Sequence, residues 1–232
     1  MKTIKVTASK NYEVLVGNGL LQELGQHCKN LTEAQKIAIV SDSNVWPLYG
    51  KKALNSLQNA GYANIISYVF PAGEESKNGQ TYLALLNFLA ESKLTRSDCI
   101  VALGGGVVGD MTGFVAATYL RGIDCIQVPT TVLAAVDSSV GGKTAIDLPA
   151  GKNLVGAFYQ PKLVLMDPDV LDTLPDTVFS DGMAEVIKYG FIADEDFLVK
   201  LESSPSRSAV MSDIESVLYT CCDIKRPPPS TI

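Results

Sequence analysis

Residues 100–161 read IVALGGGVVGDMTGFVAATYLRGIDCIQVPTTVLAAVDSSVGGKTAIDLPAGKNLVGAFYQP. An apolar run, Ile100 to Leu103, enters Gly104, Gly105 and Gly106, and a segment of helical period follows. Gly104, Gly106 and Gly109 fit the G-x-G-x-x-G spacing. Glycine there lets backbone N–H groups approach a phosphate, and the N-terminus of the next helix favours negative charge. Gly109, Gly113 and Ala117 recur every four residues, so one helix face is small enough to lie close against a sheet. Two more small-residue loops follow, DSSVGGKT at 137–144 and AGKN at 150–153. With Lys143 and Lys152 in them, the three loops predict a site for a phosphorylated cofactor, a phosphorylated substrate, or both.

Outward from this stretch, strand-like runs alternate with helical patterns. Strands are predicted near 3–8, 12–16, 36–41, 64–70, 98–103, 124–128 and 162–166. Helices are predicted over 18–28, 44–60, 77–92, 107–119 and 130–136. Such alternation implies a largely parallel sheet with helices on both faces. After Pro175 the pattern is helical throughout, over 177–190, 194–202 and 208–224. The fold class expected is therefore α/β: a Rossmann-like domain over 1–175, then the start of an all-helical second domain over 176–232. Asp42 closes the KIAIVSD run, where a carboxylate could meet a ribose in the ligand crevice or simply cap the next turn. The glycine loop lies late in the sheet and has no acidic residue at the usual distance downstream. The residues therefore point to a phosphate site without choosing the nucleotide. RPPPSTI at 226–232 should stop the last helix and favour polyproline II or disorder.

A chain of 232 residues with 47% hydrophobic and 19% charged residues can bury a sizeable core. A formal net charge of −6 argues against nucleic acid or an anionic membrane as partner. The cysteines at 28, 99, 125, 221 and 222 fit no zinc or disulfide spacing and read as buried thiols. With no signal-like start and no long apolar run, a cytoplasmic location is expected.

Arg121, in YLRG, could hold a phosphate bidentately or bridge to a surface carboxylate. Asp137, Lys143, Lys152 and Asn153 fall in the glycine loops, where lysine can act as a point charge or as an ordinary surface residue. In GMAEVIKYG at 182–190, Glu185, Lys188 and Tyr189 share one helix side. Glu185 could bind a metal and Lys188 an anion, or the two could form an intrahelical pair.

The motifs GGGVVGD, YLRG, QVPTT, VDSSVGGKTA, GKNLVGAFYQP and GMAEVIKYG, in this order, resemble the 3-dehydroquinate synthase family of the sugar-phosphate cyclases. The resemblance implies conversion of the seven-carbon phosphate DAHP to 3-dehydroquinate and phosphate, in the shikimate pathway of aromatic amino acid biosynthesis. It implies NAD, which oxidises a ring carbon and later returns the hydride, and zinc or another divalent metal. By resemblance, NAD contacts are Ala72, Gly73, Glu74, Glu75, Ser76 and Lys77, then Gly104, Gly105, Gly106, Val107, Val108, Gly109 and Asp110. Further contacts are Thr130, Thr131, Lys143, Lys152, Val170, Leu171, Asp172 and Thr173, with Asp42 and Asn44 on the ribose and adenine side. The substrate residues implied are Arg121, Asp137, Lys143, Asn153, Glu185, Lys188 and Lys225, with Glu185 also the carboxylate metal ligand. A small phosphorylated sugar acid is the implied substrate, and a homodimer the implied state of the complete enzyme.

The match stops after CCDIK, at Lys225. The family's two metal-binding histidines lie beyond that point, and His27 is nowhere near a matching position. A truncated or frameshifted chain without synthase activity is therefore expected. The apolar faces carrying Met183, Val186, Ile187, Val210, Ile214, Val217 and Leu218 are expected to be left partly uncovered. Alternatives are another cyclase, a polyol dehydrogenase-like enzyme, or a non-catalytic NAD-binding module.

Overall fold

A computed structural model of the chain describes residues 1–226; the predicted polyproline or disordered character of 227–232 lies outside the described residues. The strands are β1 (Lys2–Val6), β2 (Tyr12–Val16), β3 (Lys36–Asp42), β4 (Asn64–Phe70), β5 (Cys99–Gly104), β6 (Asp124–Pro129), β7 (Lys143–Leu148), β8 (Gly151–Phe158) and β9 (Leu163–Met166). The helices are α1 (Leu20–Leu31), α2 (Lys51–Asn59), α3 (Gly79–Glu91), α4 (Gly106–Thr118), α5 (Asp176–Ala193), α6 (Glu195–Glu202), α7 (Arg207–Met211) and α8 (Ile214–Lys225).

Seven strands form one sheet in the order β1-β2-β9-β6-β5-β3-β4, parallel throughout except for the antiparallel edge strand β1. From β3 the chain steps outward to β4 and then returns to place β5 on the other side of β3. The strand order reverses there, and the crevice beyond the carboxyl ends of β3 and β5 is where such sheets bind ligands. This answers the position of the glycine loop: late in the chain, β5 is nevertheless the strand beside β3.

The two-residue period of the strands divides the core. Ile37, Ile39, Val101 and Leu103 point to one face, against Leu21, Leu24 and Cys28 of α1 and Leu57 of α2. Ala38, Val40, Ile100 and Ala102 point to the other, against Leu85 and Leu89 of α3 and Val108, Met111 and Val115 of α4. α5 begins directly after Pro175, where the helical pattern of the sequence sets in.

Three expectations need correction. The loops read at 137–144 and 150–153 run into a separate two-stranded antiparallel hairpin, β7 with β8, which the sequence reading does not include. Thr144 and Ile146 alternate inward, a period the neighbouring glycines conceal. The stretches read as helix over 44–60 and 130–136 begin or consist instead of wide π-type turns, Trp46–Gly50 and Ala134–Ser138. Most of the apolar face expected to be uncovered is covered. Val186, Val210, Ile214, Val217 and Leu218 join the same core as Ile4, Val14 and Val16 of β1 and β2, because α8 packs on β1. Exposed apolar surface remains on α5 and α6 at Ile187, Phe191, Ile192 and Val199.

Candidate functional site

The glycine loop is closely surrounded. A Cβ on Gly104 would stand 2.5 Å from Val108 Cγ2; on Gly105, 3.3 Å from Thr131 Cγ2; on Gly106, 3.3 Å from Ser138 Oγ. The Thr130 N–H donates to Gly104 O at 3.0 Å, which ties the end of β6 to the loop. The buried Thr130 Oγ1 has no hydrogen-bond partner among the described residues, a cost offset only by an added ligand or water. Gly109 lies in the first turns of α4 with Val107, Val108 and Asp110.

The other implied nucleotide contacts converge on this end of the sheet. Asp42 closes β3, and its Oδ1 accepts from the N–H groups of Asn44 and Val45 at 2.8 and 2.9 Å. The capping reading is thus realised on one carboxylate oxygen. After β4, Ala72 N–H donates to Ser43 Oγ at 3.0 Å. Gly73 takes φ +118°, a left-handed conformation suited to glycine. Ser76 Oγ donates to Pro71 O, and Glu75 O accepts from the Asn78 amide. Glu74 pairs with Lys152 at 3.1 Å, so Lys152 is an exposed cation on the hairpin rather than a loop lysine. After β9, the Tyr49 hydroxyl donates to Val170 O at 2.9 Å and lies against Thr173. Arg207 donates to the carbonyls of Leu171 and Asp172.

Lys77 links these contacts to a second region. Its buried ammonium donates to Asp110 Oδ2 and to Asn153 Oδ1, each at 2.6 Å. Burial pushes the Asp110 carboxyl above its usual range, while Lys77 pulls it back down. Beside this contact opens a cavity of about 490 Å³, lined among others by Asp110, Asp137, Lys143, Asn153, Phe158 and Lys225. Asp137 leaves the π-turn, and the Lys225 ammonium bonds both its carboxylate and its carbonyl. Asn153, at φ +57°, is held by its N–H on Asp147 Oδ1 at 2.7 Å. Residues from five separate elements thus meet over two carboxylates and two lysines.

Not every implied residue reaches the cavity. Arg121 follows the C-terminal end of α4, about 20 Å along the helix from Gly106, and does not line it. Glu185 and Lys188 form the intrahelical ion pair on α5. Among the described residues no three His, Cys, Asp or Glu side chains come together as a metal site. His27 instead sits one turn from Glu23 on α1. All five cysteines are free and buried, and burial pushes the Cys28 and Cys125 thiols up to about 12. Sequence reasoning missed Ser138, Leu154 and Phe158 as cavity residues. The alternation along KTAIDL was the signal that could have placed the hairpin beside the loop.

The fold and its cleft place the chain with the sugar-phosphate cyclases. The backbone matches a crystal structure of 2-deoxy-scyllo-inosose synthase complexed with carbaglucose-6-phosphate, NAD+ and Co2+, with a TM-score of 0.88 and 29% identity over 97% of this chain and 61% of that one. It also matches a 2-epi-5-epi-valiolone synthase from Streptomyces hygroscopicus with NAD+ and Zn2+ bound, at TM-score 0.81 and 25% identity over 95% and 62% of the two chains. The family profile described as 3-dehydroquinate synthase N-terminal matches residues 67–181. The 3-dehydroquinate synthase of Clostridium botulinum is 52% identical over 217 residues, which cover 94% of this chain and 62% of the relative. That of Nostoc punctiforme is 48% identical over 220 residues, 93% of this chain and 60% of the relative. The chain belongs to the 3-dehydroquinate synthase family, a family of enzymes, and spans about three fifths of the length of these curated relatives. Among the described residues no helix is long and apolar enough to cross a membrane.

Proposed function

We propose that this chain carries the dinucleotide site and one wall of the substrate pocket of a 3-dehydroquinate synthase. In this reading residues 1–175 hold NAD, residues from 176 begin the helical domain, and the whole protein is a cytoplasmic homodimeric carbon–oxygen lyase acting on DAHP. The observation that carries the reading is the cavity: Asp110, Asp137, Lys143, Asn153 and Lys225, distant in sequence, line one space beside the glycine loop.

The residues present fit NAD. The crowded glycines leave backbone N–H groups as the loop's binding surface, the unpartnered Thr130 hydroxyl awaits a polar atom, and Asp42 keeps Oδ2 for a ribose hydroxyl. When bound, NAD supplies a reversible hydride acceptor. The chain's own residues bind and orient. Lys143 supplies a cation for the substrate's phosphate or carboxylate. Lys225 neutralises Asp137 until a substrate hydroxyl or anion competes for it. Asn153, fixed by Lys77 and Asp147, presents an amide to a sugar hydroxyl. The described residues do not fit a metal: no three His, Cys, Asp or Glu side chains come together among them, and Glu185 is paired with Lys188.

Calorimetric titration with NAD tests the nucleotide assignment. Gly106→Val should weaken binding by at least about tenfold, because a branched side chain beside Ser138 blocks the backbone approach. Equal affinities in the two proteins would remove the phosphate-loop assignment.

A further inference from the structure

Asp137 reaches the cavity from the π-turn Ala134–Ser138, and the carbonyls in the last turn of a helical segment have few intrahelical donors to meet them. In a continued π-helix, Val136 O would accept from the N–H of Gly141. Here each group goes to a tyrosine. The Gly141 N–H donates to the Tyr12 hydroxyl at 3.2 Å, and Val136 O accepts from the Tyr189 hydroxyl at 3.1 Å. The carbonyls on either side are held from α8, Ala135 O by the Cys222 thiol at 3.6 Å and Asp137 O by the Lys225 ammonium. Three successive carbonyls thus take side chains from the helices after Pro175. Close packing permits this: a Cβ on Gly182 would stand 2.5 Å from Val132 Cβ, so α5 lies directly on the segment entering the turn.

We infer that Tyr189 and Tyr12 are positioning residues: their hydroxyls end the π-turn at one register and so fix Asp137, and the Gly141–Gly142 bend before Lys143, in the cavity. Neither tyrosine lines the cavity, so they act through the backbone. Both are buried. Burial, reinforced by the negative charges of Asp137 and Glu185, raises the Tyr189 phenol far above its ordinary pKa, so it remains a donor across the working pH range.

The substrate half of the test rests on the proposed synthase function; the backbone half does not. Tyr189→Phe removes one hydroxyl and keeps the ring, and Tyr12→Phe does the same from the opposite side should the first variant fold poorly. Amide exchange in the full chain should accelerate about five- to tenfold over residues 136–141, the loss of one buried hydrogen bond, with strand β5 unchanged. Titration with DAHP in the presence of saturating NAD should show affinity lowered by a similar factor, while NAD affinity stays within about twofold. Unchanged exchange over 136–141 in both variants, or equal losses of NAD and DAHP binding, would overturn the inference. Faster exchange in a protein whose wild type takes up no DAHP would support the tyrosine clamp and reject the substrate.

Discussion

Replacing Gly113 by alanine sets two effects of known sign against each other. In the middle of α4, glycine to alanine favours the helix by about 1 kcal/mol. The added Cβ, however, would stand 2.4 Å from Thr144 Cγ2 on β7. Ordinary contact begins at 3.4 Å, so the helix and hairpin must part by about 1 Å. Thr144 cannot turn away cheaply. It is β-branched and buried, and its hydroxyl donates to Ala157 O at 2.8 Å across the hairpin. Overpacking of this kind costs about 1–3 kcal/mol, so Gly113→Ala should be neutral to about 2 kcal/mol destabilising. Thr144→Ser removes the obstructing methyl and keeps the hydroxyl. The double variant should therefore recover at least about 1 kcal/mol relative to the sum of the singles. Urea unfolding of the four proteins measures this. If Gly113→Ala alone stabilises by the full helix increment, the close approach of α4 to the hairpin is wrong. The placement of Lys143 and Asn153 over the cleft would fall with it.

Lys77→Met removes the cation that lowers the Asp110 pKa, leaving burial unopposed by it. The carboxyl should titrate at still higher pH by carbon NMR. Because the folded state then binds more protons than the unfolded one, stability should fall more steeply as pH rises through that range; a lower Asp110 pKa would refute the contact. Asp98 behaves oppositely. Burial raises its pKa, but donors from Thr95 and from the Lys36 and Gln35 backbone outweigh it and hold the carboxyl below its usual value. Its stabilisation is complete above the unfolded carboxylate pKa and is lost as pH falls through the folded value. Asp98→Asn should cost about 1–3 kcal/mol near neutrality and flatten the acid limb; a parallel acid limb would count against it. Phosphate release from DAHP by this chain, with added NAD and zinc, should be absent, since the described residues bring no metal-ligand set together. Turnover comparable to a full-length relative would show that reading to be wrong.

Much of the sheet was legible because its signals are local. KIAIVSD, CIVALG and DCIQVP are buried on both faces and read as strands without knowledge of their neighbours. The glycine loop was legible for the same reason, since a tight turn into a helix demands glycine wherever the strand lies. The hairpin was hidden because Gly141, Gly142 and Gly151 read as loop punctuation, and Gly156 interrupts the apolar residues Leu154, Val155, Ala157 and Phe158 of β8.

The pairings that make a site belong to the tertiary structure. Sheet order alone brings Asp42 beside Gly104, since β5 could have followed β4 outward with the same local sequence. The length of α4 sends Arg121 to the far end from the cleft, although the YLRG motif follows the glycine loop closely in the chain. Which face of α5 meets the π-turn decides that Tyr189 holds a backbone carbonyl while Glu185 pairs with Lys188. Local sequence sets what each segment can become, because backbone conformation and burial pattern are short-range properties. Which charges share a low-dielectric cavity is set by long-range packing, and that has no period in the chain to read.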